Sequence, residues 1–242
     1  MKPAVERFEG VVQNESLCMR LAAAIGLLTT KVQARSVEGM DFLLVERYDR
    51  VYRNDSIHEP VLERLHQEDF CQALGIVSEM KYQNEGGPSL KQCFALLRKV
   101  SSAPAVDLAR LLDAVIFNYL VGNNDAHGKN FSLLYCGLGT DDPHVGLAPL
   151  YDILSTVYYP ELSRTMAMKL GGEYSSAKVW PHNFEQLAED AGLEKSLVIG
   201  RVAEMVKEIR TVLPQIRSDE ITISIAARIL ERCNRIQERF QQ

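Results

Sequence analysis

The chain has 242 residues, 46% of them hydrophobic and 24% charged, with a formal net charge of −5. That is enough apolar material for a real core, and it excludes wholesale disorder. A negative balance also argues against direct nucleic-acid binding by the chain as a whole, because neutralising phosphates needs a basic face. The five cysteines are widely spaced with no CxxC pair, which points to reduced, mostly buried thiols rather than a disulfide frame or a zinc site. No segment has the form of a signal peptide, and none approaches the run of about eighteen apolar residues that spans a bilayer. The expected setting is the cytoplasm, with no membrane role.

In chain order, "NESLCMRLAAAIG" predicts a helix. Leu17, Leu21 and Ile25 recur on one face, Asn14 is placed as its cap and Gly26 as its stop. "TTKVQARSV" and "DFLLVERYDR" predict two strands joined by a turn at Glu38–Gly39, and the polar "RNDSIHEP" predicts a loop. From His66 onward the pattern turns mainly helical. A short helix in "QEDFCQALG" closes at Gly75, and further helices are expected over Leu90–Leu97 and Val106–Leu120, the second apolar on more than one face and therefore central. "FSLLY", "LAPLYDILS" and "RTMAMKL" predict strands, with "GLGTDDPHVG" a loop and its Asp141–Asp142 pair an exposed turn. The last sixty or so residues predict helices with charged outer faces.

The chemistry concentrates in "VGNNDAHGKNFSLLY". Asp125 and Asn130 form D-x-x-x-x-N after a buried helix, the spacing of a protein-kinase catalytic loop, where the Asp accepts a hydroxyl proton and the Asn holds Mg²⁺. Taken alone, that spacing is shared with ordinary capping and turn residues. A second carboxylate, Asp152 in "APLYDILS", stands where a kinase's second metal ligand would, and Asn130 with Asp152 suits a hard cation such as Mg²⁺. Lys129 inside the loop is placed to neutralise charge on a transferring phosphate. The histidines show no metal-ligand spacing and no nucleophilic triad.

Six stretches in order, "NESLCMRLAAAIGL", "LLVERYDR", "HQEDFCQALG", "KYQNEGGP", "FNYLVGNNDAHGKNFSLLY" and "LAPLYDILS", resemble the HipA family of serine/threonine kinases, toxins of bacterial toxin–antitoxin pairs. The resemblance implies an α+β, protein-kinase-like arrangement of two lobes. Residues 1–50 would be a small, truncated α/β N-terminal lobe and residues 51–242 a large, mainly helical C-terminal lobe. It implies Asp125 as the catalytic base, with His127, Gly128, Lys129 and Tyr151 beside the nucleotide and Asn130 and Asp152 as metal ligands. Glu46, Arg47 and Tyr48 match the hinge that bonds adenine through its backbone, and Asp49 and Gln67 match residues that reach the ribose. Lys2 matches the phosphate-binding lysine and Glu15 its helix partner. The implied cofactors are ATP and Mg²⁺. The implied partners are a protein substrate, typically an aminoacyl-tRNA synthetase, and a HipB-like helix-turn-helix antitoxin.

The match departs at the front, where Lys2 has no preceding strand and no Gly-rich phosphate loop. Weak or absent transfer by this chain alone is therefore expected. The rival expectation is a truncated pseudokinase that binds nucleotide or a partner without catalysis. A small-molecule kinase of the aminoglycoside or choline type shares the two-carboxylate logic, but "VERYDR" and "QEDFCQALG" favour the toxin kinases.

Overall fold

The structure, a computed structural model, describes residues 1–5, 7–53 and 61–240. Its elements are β1 (Lys2–Pro3), α1 (Val11–Ala24), β2 (Val32–Val37), β3 (Met40–Val45), β4 (Arg50–Arg53), β5 (Val61–Arg64), β6 (His66–Asp69) and α2 (Phe70–Ala73). There follow α3 (Leu90–Val100), α4 (Pro104–Val121), β7 (Ser132–Cys136), β8 (His144–Leu147), β9 (Thr165–Leu170) and β10 (Glu173–Ser175). Three helices, α5 (Pro181–Ala191), α6 (Lys195–Ile216) and α7 (Glu220–Phe240), complete the described residues. The result is a mixed helix-and-sheet fold.

Two three-stranded antiparallel sheets frame the site, in the orders β1-β3-β2 and β6-β7-β8. The β2–β3 hairpin turns at Glu38 and Gly39, both at positive φ (53° and 79°), as a tight turn matching the strand twist requires. The register Lys2↔Leu43 hangs β1 on the outer edge of β3, which is how the second residue of the chain is fixed in space.

The helix α4 is central, as its pattern predicts: Leu111, Leu112, Ile116, Phe117 and Leu120 are fully buried. Pro104 opens it, where a missing N–H costs nothing. Gly122 ends it in a left-handed conformation (φ 75°), and a Cβ there would meet Val157 Cγ2 at 2.4 Å, so only glycine fits. Around α4 pack α3, α6 and α7, and α1 packs against α6 and α7. Leu17 and Leu21 of α1 therefore belong to the same buried cluster as Val202 of α6 and Ile229 of α7. All five cysteines are free, four of them buried. Among the described residues no helix is long and apolar enough to cross a membrane.

Several local expectations are corrected. The helix α1 starts at Val11 with Gly10 before it, so Asn14 is no cap. Its side chain is fully buried and bridges the Ser155 backbone, accepting from Ser155 N (2.7 Å) and donating to Ser155 O (3.1 Å). His66–Asp69 is a strand, not the start of a helix, because it pairs with β7; the helix begins only after Asp69, which caps it in a capping box with Gln72. Of the expected loop "RNDSIHEP", Arg53 instead ends β4, paired with Val61 of β5, and residues 54–60 lie outside the described residues. The loop after Gly137 gives way to β8 from His144, paired with β7. "LAPLYDILS" is no strand: Leu150 makes one isolated parallel bridge to Thr29, and the chain then turns at Asp152.

Asn14→Ala removes both bonds to Ser155 and leaves a buried main-chain N–H without its acceptor. A stability loss of about 2–4 kcal/mol is expected, read from urea denaturation; a loss below about 1 kcal/mol would show that Asn14 does not hold this junction.

Candidate active site

The polar density after α4 has two uses. Asn123 and Asn124 are buried and serve as scaffold. Asn123 donates to Asn118 Oδ1 (2.7 Å) and accepts from the Asp125 N–H (3.2 Å). Asn124 receives support from Thr156 (2.8 Å) and donates to the Ser163 carbonyl (3.1 Å). Between these anchors and the short 3-10 turn Gly128–Asn130, Asp125 is presented half-buried. Its Oδ1 accepts from the Tyr82 hydroxyl at 2.7 Å. Its Oδ2 has no hydrogen-bond partner among the described residues, which leaves an acceptor for an incoming proton.

His127 is buried, its Nδ1 without a partner, and burial pushes its pKa below the ordinary value despite the nearby Asp125 carboxylate. It is thus neutral at neutral pH. Its N–H donates to Asn130 Oδ1 (3.0 Å). A Cβ on Gly128 would meet Pro88 at 2.4 Å and the Cys71 sulfur at 2.8 Å, so glycine is required for the turn to sit on α2. Lys129 sends its ammonium outward to Ser78 (2.8 Å), while its carbonyl accepts from Tyr151 (2.8 Å). In this conformation Lys129 braces the loop instead of reaching Asn130 and Asp152.

Asn130 and Asp152, 22 residues apart, meet: Asn130 Nδ2 donates to Asp152 Oδ2 at 2.9 Å. The other carboxylate oxygen receives Lys2 Nζ at 2.5 Å, and the same ammonium bonds both oxygens of Glu15 (2.8 and 3.0 Å). The lysine–glutamate pairing implied by the resemblance is therefore present. Burial works against the charge on Lys2, but the two carboxylates outweigh it and raise its pKa. At Glu15 burial dominates over the pull of Lys2, so its carboxyl titrates above the usual range.

These groups border a cavity of about 390 Å³. Its lining includes Lys2, Glu15 and Asp152 together with Glu46, Arg47, Tyr48, Gln67 and Tyr151. Tyr48 stacks on Tyr151 with ring centroids 6.0 Å apart. The Gln67 Oε1 is buried without a partner, an acceptor that a ligand hydroxyl or amine would satisfy. At Glu46 the main chain is already engaged, its N–H with Lys31 O (2.9 Å) and its carbonyl with the Thr30 hydroxyl (2.5 Å). The Glu46 side chain is exposed near Lys31. Asp49 does not line the cavity: it is buried, gripped by Arg47 (2.7 and 2.5 Å) and Arg50 (2.7 Å), and the bonds from Arg47 hold its carboxyl below the usual range. It ties together the segment from Arg47 to Arg50.

Asp125 opens on a second cavity, of about 530 Å³, shared with Tyr82. Tyr82 received no role from the sequence, although it stands in the stretch "KYQNEGGP"; its contact is 43 residues away in the chain. Thr30 escaped the reading for the same reason, and Asn14 reads as a helix cap because its partner Ser155 lies 141 residues away. No group of three or more His, Cys, Asp or Glu side chains that could hold a metal occurs among the described residues. Asn130 and Asp152 fit instead a cation that keeps several waters or takes oxygens from a bound ligand.

Residues 1–213 match the HipA-like C-terminal domain model. The chain is 49% identical over 230 residues to "Putative kinase Y4mE" of Sinorhizobium fredii, covering 95% of this chain and 53% of that protein. It is 29% identical over 250 residues to the serine/threonine-protein kinase toxin HipA of Shewanella oneidensis, covering 95% of this chain and 56% of the relative. The chain thus spans about half the length of the curated relatives it matches. Among solved structures, the Shewanella oneidensis HipA, HipB and operator DNA complex superposes with a TM-score of 0.80 at 27% identity, over 97% of this chain and 57% of that one. The Helicobacter pylori proinflammatory kinase CtkA shares the fold at a TM-score of 0.59 and 12% identity, over 98% of this chain and 88% of that one. With the family model covering most of its length, the chain belongs to the HipA-like C-terminal domain family.

Proposed function

We propose that this chain carries the nucleotide-, metal- and acceptor-binding residues of a HipA-like serine/threonine kinase, which moves the γ-phosphoryl group of ATP to a protein serine. The observation that carries the reading is the convergence of Lys2, Asn130 and Asp152 beside one cavity while Asp125, on the same loop as Asn130, faces another. A kinase needs that separation, with phosphate and metal on one side and the accepting hydroxyl on the other.

Each residue then has a task. Tyr48, Tyr151 and Gln67 are the lining residues that would take the nucleoside. Lys2, held by Glu15, places positive charge where phosphates would lie. Asn130, with its amide turned, and Asp152 would hold Mg²⁺, which when bound neutralises charge on the phosphates. Asp125 takes the hydroxyl proton through its free oxygen as the new oxygen–phosphorus bond forms and the bond to the departing diphosphate breaks. Tyr82 stays on the other oxygen and fixes the carboxylate plane. Neutral His127 braces Asn130 from the main chain. In this reading the hinge at residues 46–48 divides a small lobe, residues 1–50, from a larger one, residues 51–242. The Shewanella structure that superposes on this chain contains HipB and operator DNA, which supports a HipB-like antitoxin as a partner and a toxin role. An aminoacyl-tRNA synthetase remains the substrate that the family resemblance suggests.

Calorimetric titration of Mg-ATP into the purified chain tests the nucleotide site. Binding is expected, weakened about tenfold or more by Asp152→Ala and unchanged by Asp125→Asn; equal binding by wild type and Asp152→Ala, or none by a folded chain, would refute the assignment. Where transfer to a protein serine is observed, Asp125→Asn should lower its rate by about 10²–10⁴-fold.

The ionisation of Glu15 gives a second check. Its carboxyl is raised in the folded state, so the folded chain holds that proton more tightly than the unfolded one. The resulting stabilisation is full below the ordinary glutamate value of 4.5 and is lost as pH rises through the folded value. Urea denaturation across this window should show wild type losing stability relative to Glu15→Gln as pH increases; a parallel pH dependence of the two would contradict it.

A further inference from the structure

The cavity beside Asp125 is built differently from the one beside Lys2. Its polar lining comprises Tyr82 and Asp125, Asn84 and Glu85 from the 3-10 turn Gln83–Glu85, Asn124, and the hydroxyls of Thr156, Ser163 and Thr165. Beside them Phe8, Val11, Leu154, Tyr159, Leu162 and Met166 supply an apolar wall. This wall is assembled from distant parts of the chain and is held firmly. Phe8 and Tyr159 pack with ring centroids 5.2 Å apart, and the Tyr159 hydroxyl bonds the Glu9 carbonyl at 3.2 Å. Ala167 N donates to Asn124 O at 2.7 Å, locking β9 to the Asp125 loop.

A hydroxyl small enough to stand alone would leave this wall facing water. A polypeptide does not: it presents its serine to Asp125 Oδ2, keeps its main chain among the polar groups of the rim, and has an adjacent side chain to place on the wall. That matches the usual division of a recognition site into an apolar floor that supplies affinity and a few polar groups that fix orientation.

We infer that the cavity lined by Asp125, Tyr82, Phe8, Leu154 and Leu162 is a docking site for a polypeptide segment whose serine or threonine stands next to a bulky apolar residue. The inference rests on the assignment of Asp125 to the acceptor side and adds the class of sequence that is accepted. Asp125 and Tyr82 receive the hydroxyl, and the wall of Phe8, Leu154 and Leu162 takes the neighbouring side chain. Acidic neighbours are disfavoured because Asp125 and Glu85 line the same cavity and an acid buried against this wall has no partner for its charge.

Fluorescence anisotropy with short labelled peptides tests this without requiring transfer. Each peptide carries one serine in a glycine–alanine frame, with leucine on the N-terminal side, the C-terminal side or both, or with aspartate in the same places. Burial of one leucine should make the best leucine peptide bind about tenfold or more tightly than its aspartate counterpart. Leu162→Arg should abolish that preference, and Phe8→Ser, at a second half-buried wall position, should reduce it. Thermal unfolding verifies that both variants fold. Equal binding of leucine and aspartate peptides, a preference that survives in both variants, or no peptide binding by the folded chain would overturn the inference. Mg-ATP titration on the same samples reports the nucleotide site separately: its failure alone counts against the kinase reading, whereas loss of peptide preference with nucleotide binding intact counts against the docking site.

Discussion

Asp152 has a left-handed backbone, φ 59°, one of two non-glycine residues so placed among the described ones. For an L-residue that conformation costs about 1–2 kcal/mol, and aspartate is among the few side chains that tolerate it. It persists because the chain is held on both sides. Before it, Leu150 exchanges main-chain bonds with Leu28 and Thr30, both at 2.9 Å; after it, the buried Asn14 clamps Ser155. The side chain itself is caught between Lys2 and Asn130. Release of any of these would let the carboxylate swing away, and the junction of Lys2 with Asn130 would lose its centre.

The surrounding architecture follows from that need. Three elements remote in sequence must deliver Lys2, Asn130 and Asp152 to one place, and each uses a different device. Lys2 is positioned by strand pairing, since β1 hangs on β3. Asn130 is positioned by the end of the buried helix α4 and a turn that only glycine allows at position 128. Asp152 is positioned by the Asn14 bridge from α1, and α1 in turn shares its core with α6 and α7. A buried polar network of this kind is firm only while each member is satisfied. Gln67 Oε1 and His127 Nδ1, buried without partners, are the places where ligand binding would complete it.

Much of this was legible in the residues, and the reasons for the gaps are physical. Helices announce themselves by local periodicity, so α3, α4 and α5 fall where the pattern puts them. The β2–β3 hairpin is equally legible, because Glu38–Gly39 is a local turn signal. The strand β6 is not: His66-Gln67-Glu68-Asp69 has no alternation of apolar and polar residues, and only its pairing with β7 makes it a strand. "LAPLYDILS" misleads in the opposite sense, since a run of apolar residues reads as strand whether it is paired along its length or, as here, only at Leu147, the end of β8, and at Leu150. At the site, Asp125, Asn130 and Asp152 stand out by their spacing, and the Lys2–Glu15 pair follows from the family resemblance. Tyr82 and Thr30 gave no signal, because their partners lie 43 and 16 residues away, and Asn14 reads locally as a cap because its partner Ser155 lies 141 residues away. Asp49 was assigned to a ligand on the strength of its neighbours in sequence, whereas its actual environment is three arginines.

The central claim is that separate strands, helices and turns bring Lys2, Asn130 and Asp152 to one nucleotide- and metal-binding cleft. Backbone amide NMR shifts, followed as a non-hydrolysable ATP analogue is added first without and then with Mg²⁺, address it most directly. The account expects the nucleotide to perturb Tyr48, Gln67 and Tyr151, and Mg²⁺ to add changes confined to Lys2, Asn130, Asp152 and their immediate neighbours. Metal-dependent changes scattered over the surface, or nucleotide-dependent changes that leave these residues untouched, would contradict it.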